Sequence, residues 1–251
     1  MKVSMKNYIE INRLGEICFL HMNKPGTNSL DQFFLDELYE KINLITDYNK
    51  VKVIILSSKL RFGFSSGMDL RSFSGTRQEF IPKMYNAVLT SFKIIRLMLT
   101  SSKIFICALS GPVIGSAASI AFGCDFRIAA EDTWLWLPDV KYGGLLADGG
   151  IELIAKYAGN SRALILALSN ERLASDEAVK WGLFYKTVKR CTLDDTVRSL
   201  AKRLCGFSFK SLSMHKRMVN KNILDNFNEA LLKEMLSSEE TYETYKFYMK
   251  I

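Results

Sequence analysis

Along the first 190 residues, short, largely apolar runs alternate with segments whose apolar residues recur every three or four positions. Ile17–Met22, Val51–Leu56 and Ile104–Leu109 are runs of the first kind, the length of strands buried on both faces. Phe126–Ala129, Trp134–Leu137 and Tyr185–Val188 read as shorter strands. Leu35, Leu38, Ile42 and Ile45 have helical spacing, with Ser29 or Asp31 as the capping residue. A long amphipathic helix ends near Leu99, and further helices are expected around 150–157 and 161–168. Ser175-Asp176-Glu177 reads as the cap of a helix ending near Gly182. Residues 71–80, polar and carrying Gly75, read as a mobile surface loop. From Leu193 onward only helical spacing is present, so the pattern predicts an α/β core over 1–192 and an all-helical region over 193–251.

Composition narrows the class. At 251 residues, 48% hydrophobic and 24% charged, the chain is long enough for a large core and ordinary for a globular protein. No apolar stretch reaches the roughly 18 residues of a membrane span. The N-terminus has no apolar run followed by a small-residue cleavage site, so export is not expected. Five cysteines (18, 107, 124, 191 and 205) form no CxxC pair, and most lie in apolar runs. That usage predicts reduced thiols in a cytoplasmic setting. The net charge of +8 is dispersed, with modest groupings at Lys186–Arg190 and His215–Lys221. Cofactor phosphates or an acidic carrier protein suit such a surface as well as nucleic acid does, and no nucleic-acid signature is present. His21 and His215 stand apart from any Cys/His cluster, so no metal site is expected.

The chemistry concentrates in the loops. After the run Ile104–Leu109 the chain breaks at Ser110-Gly111-Pro112, then places five small residues, Gly115 to Ser119, before Ile120-Ala121-Phe122. A strand, a small-residue turn and a helix leave unpaired N–H groups at the helix start, where the dipole is positive. Small side chains let a substrate oxygen approach that backbone. A tightly packed turn with no ligand reads equally well from this stretch alone.

Four segments in order resemble the crotonase superfamily, the enoyl-CoA hydratase/isomerase family: NKPGTNSL (23–30), FSSGMDL (64–70), SGPVIGSAASIAFGCDFRIA (110–129) and LPDVKYGGLLADGG (137–150). The resemblance implies a crotonase-type spiral of ββα units with a C-terminal helical oligomerisation region, assembled as a homotrimer or hexamer. It implies an acyl-CoA or acyl-carrier-protein thioester as substrate, with coenzyme A or pantetheine entering only as part of that substrate and no separate cofactor. The backbone N–H groups of Met68 and Ser116 would stabilise an enolate, with Ser66, Gly67, Leu70, Arg71, Gly115 and Trp136 contacting substrate. Arg71 would meet cofactor phosphates or serve solubility alone, and the same holds for Lys59 and Arg61. Trp134 and Trp136 alternate on one strand face, which fits core packing better than an acyl pocket.

The acid/base groups depart from the family. Hydratases use two glutamates, at the positions of Ser119 and Asp139 here. A serine cannot replace a carboxylate as general base without a partner of its own, which argues against ordinary hydration. Asp148, just before Gly149-Gly150, matches where several enoyl-CoA isomerases carry a single carboxylate, so a double-bond shift through Asp148, with Asp139 in reserve, is the expected reaction. The bland alternatives are a helix N-cap for Asp148 and a solvated loop carboxylate for Asp139. The rival functions are an acyl-thioester decarboxylase, dehydratase or hydratase, and a non-catalytic acyl-CoA-binding homologue.

Overall fold

A computed structural model describes residues 7–221, 223, 233, 236 and 239–249. Its main sheet has six strands in the order β1-β2-β3-β4-β6-β9: β1 Ile9–Leu14, β2 Ile17–Met22, β3 Val53–Ser58, β4 Ile104–Leu109, β6 Phe126–Ala130 and β9 Lys186–Val188. β1 and β2 pair antiparallel through a tight turn at Gly15, whose φ of +59° favours glycine. Every other neighbour in this sheet is parallel. A second sheet of three strands sets β7 (Trp134–Trp136) between β5 (Pro112–Ile114) and β8 (Arg172–Ala174).

The central strands are apolar without alternation because both faces are covered. In β4, Phe105, Cys107 and Leu109 join the larger core, while Ile104, Ile106 and Ala108 face the other way. The larger core is closed by α1 (Gln32–Thr46), α2 (Arg77–Thr100), α3 (Ser116–Phe122) and α4 (Gly150–Ala158). The smaller one is closed by α7 (Leu193–Cys205) through Leu193, Val197, Leu200 and Leu204. The connecting helices are α5 (Asn160–Leu168) and α6 (Ser175–Lys180); α8 (Phe209–Asn220) and α9 (Glu239–Met249) follow α7. No helix among the described residues is long and apolar enough to cross a membrane.

Several sequence expectations change in detail. Residues 71–80 are not one surface loop: a 3-10 turn covers Leu70–Phe73 and α2 starts at Arg77, with Phe73 and Phe80 buried. Asp31, not Ser29, caps α1, accepting the Phe34 N–H at 2.8 Å. Ser175 is the first residue of α6 and not its cap; its hydroxyl donates to the Glu131 carbonyl. The strand β1 had no counterpart in the pattern. The expected all-helical region holds for α7, α8 and α9, and most of residues 222–238 lie outside the described set.

Candidate active site

Two chain segments meet where the main sheet passes into the smaller one. Ser65 bridges Val113 in parallel fashion: the Ser65 N–H donates to the Pro112 carbonyl, and the Ile114 N–H to the Ser65 carbonyl, each at 3.2 Å. Beyond that bridge Gly67 (φ +80°) leads to Met68, and Gly115 (φ +53°) leads to Ser116. The Leu30 N–H donates to the Gly67 carbonyl at 2.9 Å and the Asp69 N–H to the Leu30 carbonyl at 3.0 Å, so the amides flanking Met68 are anchored. The Gly115 N–H is likewise taken, by the Trp136 carbonyl at 2.9 Å. Among the described residues, the N–H groups of Met68 and Ser116 have no acceptor. Both donors therefore remain available to a ligand.

Both residues line one cavity of about 470 Å³. Its polar rim carries Thr27, Ser29, Asp69 and Arg71, and its other part is walled by Phe80, Met84, Val88, Leu145, Leu236 and Tyr245. At the rim, the Lys24 ammonium pairs with Asp31 at 2.6 Å and lies 3.9 Å from Asp69. Helix α9 spans the apolar part. The Tyr245 hydroxyl donates to the Leu70 carbonyl, that of Tyr242 donates to the Gly75 carbonyl at 2.9 Å, and both rings pack on Phe80. Apolar walls with few polar groups describe a ligand pocket of ordinary size.

Besides Asp31 and Asp69 at the rim, three further carboxylates stand at this end of the molecule. Asp139 lines the cavity at the start of a 3-10 turn, Asp139–Tyr142. Its Oδ2 is buried with no partner among the described residues, 4.0 Å from where a Cβ on Gly115 would be. Burial, reinforced by the negative charge of Asp148, pushes its pKa up to about 7, against the pull of its own backbone N–H. Asp148 is fully buried and does not line the cavity. Its Oδ2 accepts the Ser91 hydroxyl at 2.8 Å and its Oδ1 the Gly150 N–H at 3.4 Å. Burial raises its pKa, and the hydroxyls of Ser119, Ser91 and Ser116 draw it back, Ser91 alone with full hydrogen-bond geometry. The N-cap of α4 is Gly149, at φ +90°, and not Asp148. Glu152 on α4 is the third: its Oε2 is buried without a partner among the described residues, and burial together with the Asp148 charge raises its pKa.

Of the residues singled out by sequence, Ser66, Gly67, Met68, Leu70, Arg71, Gly115, Ser116, Trp136 and Asp139 line the cavity; Asp148 stands behind it. Lys59 pairs instead with Glu10. The two tryptophans are half-buried rather than core, and Leu135 between them is the buried residue of β7. The Arg172 guanidinium lies 4.1 Å from the Trp134 ring centre, and the Trp136 indole N–H donates to the Asn170 carbonyl at 3.0 Å. Sequence reasoning missed Ser91, Glu152 and the aromatic contacts of α9. Ser91 did leave a signal, a hydroxyl on the apolar stripe of α2 between Val88 and Ile95.

The enoyl-CoA hydratase/isomerase family model matches residues 12–249. The chain is 28% identical to the 1,2-epoxyphenylacetyl-CoA isomerase of Escherichia coli, over 80% of this chain and 77% of that protein. It is 24% identical to the short-chain-enoyl-CoA hydratase of Clostridium acetobutylicum, over 95% and 90%. A human peroxisomal bifunctional enzyme is 28% identical over 89% of this chain, which spans 30% of that longer protein. In fold, the chain resembles an enoyl-CoA hydratase from Bacillus halodurans with a TM-score of 0.88 at 18% identity, covering 96% and 99% of the two chains.

Proposed function

Because the chain belongs to the enoyl-CoA hydratase/isomerase family, we propose that it shifts a double bond in an acyl-CoA thioester through an enolate, with Asp139 as the proton carrier. The observation that carries this reading is the Asp139 carboxylate: on the cavity wall, near Gly115, with a buried oxygen that has no partner among the described residues. The thioester oxygen would lie between the N–H groups of Met68 and Ser116. Asp139 takes a proton from the carbon next to the carbonyl, the electron pair moves onto the oxygen, and the same proton returns to the carbon at the far end of the conjugated system. One carboxylate that titrates near neutral pH can do both. Two fixed amides supply the charge stabilisation, each typically worth ~10²–10³ in rate.

Asp148, the residue the family resemblance favours for this role, is fully buried and away from the cavity. Ser119, at the other hydratase position, is buried without a charge, which also favours isomerisation over adding water. The fully buried Ser119 supports a second reading too. A decarboxylase generates the enolate as CO2 leaves and needs no strong base, only a proton donor such as neutral Asp139. Coenzyme A or a carrier protein's pantetheine enters as part of the substrate. Assembly as a trimer or hexamer belongs to the same proposal and is supported by the exposed Leu164, Ile165 and Leu168 of α5.

The test is turnover of 3-enoyl-CoA thioesters against malonyl- and glutaconyl-type thioesters, with solvent deuterium exchange at the α-carbon. Asp139→Asn should lose exchange by ~10²–10⁴-fold while acyl-CoA still binds. Full exchange in that variant removes Asp139 from the mechanism, and turnover of malonyl-type thioesters alone makes the decarboxylase reading the right one.

A further inference from the structure

Behind the cavity wall the junction of α2, α3 and α4 holds a polar cluster that the proposed reaction does not use. Ser91, Ser119 and Asp148 are all completely buried, in a region otherwise filled by Ala87, Ile95, Ala118 and Leu153. Gly150 leaves the room for it: a Cβ there would lie 2.0 Å from the Ser119 hydroxyl oxygen. Apolar side chains would fill this space at lower cost, since a buried carboxylate must be compensated. The cluster does not open on the cavity, but it borders residues that do. Ser116, which lines the cavity, has its hydroxyl beside Asp148, and the Asp148 charge bears on Asp139.

We propose that Asp148 is a positioning residue: its buried carboxylate, held by the Ser91 hydroxyl and the Gly150 N–H, sets the stance of the Ser116 turn and of Asp139 while never touching substrate. This rests on the assignment of Asp139 as proton carrier. The arrangement has a physical logic. Asp139 and Asp148 bracket a loop that turns through one left-handed glycine, Gly143 at φ +66°, and a second, Gly149 at φ +90°, follows Asp148 directly. Such a loop needs a fixed point at its end. The Ser91 hydrogen bond, 57 residues away in sequence, ties that end to the middle of α2. A second anionic group so near also disfavours the charged form of Asp139 and keeps it able to give a proton back. The other charged groups near Asp139 are committed or distant in role. Glu152 bears on Asp148, Lys141 lies over the Trp136 and Tyr142 rings, and Asp69 and Arg71 occupy the polar rim.

The experiment compares the intact protein with Asp139→Asn, Asp148→Asn and Ser91→Ala, using a 3-enoyl-CoA thioester as probe. It follows kcat, KM and α-proton exchange between about pH 5 and 9. Asp148→Asn should keep KM, lower kcat roughly 10- to 100-fold, and move the rising limb of the kcat profile to lower pH. Ser91→Ala should move it the same way, because Asp148 without that donor holds its charge less well. It also decides the matter if the asparagine variant does not fold. A fall in kcat at every pH with the limb unmoved means packing only and overturns the proposal, as does wild-type behaviour. Loss of exchange in Asp148→Asn with exchange kept in Asp139→Asn makes Asp148 the proton carrier and overturns it too. Exchange kept in Asp139→Asn while Asp148→Asn behaves as the intact protein overturns the reading of Asp139 as well.

Discussion

Gly67 stands so close to Ile114 that a Cβ on it would be 2.5 Å from the Ile114 carbonyl oxygen. The residue also holds φ at +80°, which a side chain disfavours by roughly 1–2 kcal/mol. The two segments that offer the Met68 and Ser116 amides therefore meet only because this position has no side chain. Gly67→Ala must push the two segments apart, and with them the amides proposed to hold the thioester oxygen. We expect kcat to fall by ~10²-fold or more with a lowered melting temperature; an unchanged kcat would separate this contact from catalysis.

The raised pKa of Asp139 makes a stability prediction with a definite sign. In the unfolded chain the group titrates near 3.8 and in the folded protein near 7. Between those values the native state binds the proton more tightly, so its stability falls as pH rises through that window. Asp139→Asn removes the penalty. The variant should melt higher than the parent at pH 8, by an amount on the order of 1–2 kcal/mol, because the cavity lets water reach part of the carboxyl group. The difference should vanish at pH 3, below the unfolded pKa. Melting curves at the two pH values check this, and equal melting temperatures at pH 8 would contradict the burial of the charge.

Restoring the missing carboxylate at position 119 should not produce a hydratase. Ser119 already fills the space that Gly150 leaves open, and Asp148 lies beside it. A longer anionic side chain would overpack the junction and meet a second carboxylate. Ser119→Glu is expected to cost at least 1–3 kcal/mol on the scale of ordinary overpacking and to leave hydration of a 2-enoyl-CoA at background. Denaturant unfolding with a hydration assay tests both, and a stable, hydrating variant would show that the site still accepts the two-carboxylate layout.

What the sequence could disclose follows from how many constraints bear on each residue. Ile104–Leu109 is legible to the residue because both faces of β4 are buried, leaving an unbroken apolar run. β1 escapes the pattern because it is an edge strand, exposed from Ile11 to Leu14. Phe73 is buried between two serines and Phe80 follows a polar stretch, too sparsely to reveal the turn and helix start they anchor. The amide-bearing segments are legible since close backbone approach demands glycine and other small residues in a row. Which carboxylate faces the cavity was hidden, because Asp139 and Asp148 are separated by a loop with a left-handed turn at Gly143 and no periodicity. The tryptophans misled because Leu135 alone carries the burial of β7, while their rings rest against Arg172 and Asn170.

Helix α8 is held to the core by a buried ion pair, and its two halves should be unequal to remove. The Lys216 ammonium donates to Asp125 Oδ2 at 2.8 Å and to the Lys103 carbonyl at 2.7 Å, with both side chains largely buried. Asp125 Oδ2 also accepts the Phe105 N–H at 2.8 Å, so the carboxylate serves the start of β4 as well. Burial raises the Asp125 pKa and lowers that of Lys216, each opposed by the other's charge. Lys216→Met deletes the cation and strands an anion, which typically costs ~3–5 kcal/mol. Asp125→Asn in that background restores neutrality and should recover part of the loss. Urea unfolding of the single and double variants measures the coupling, and a double variant as unstable as the sum of its parts would mean that the pair contributes nothing as a pair.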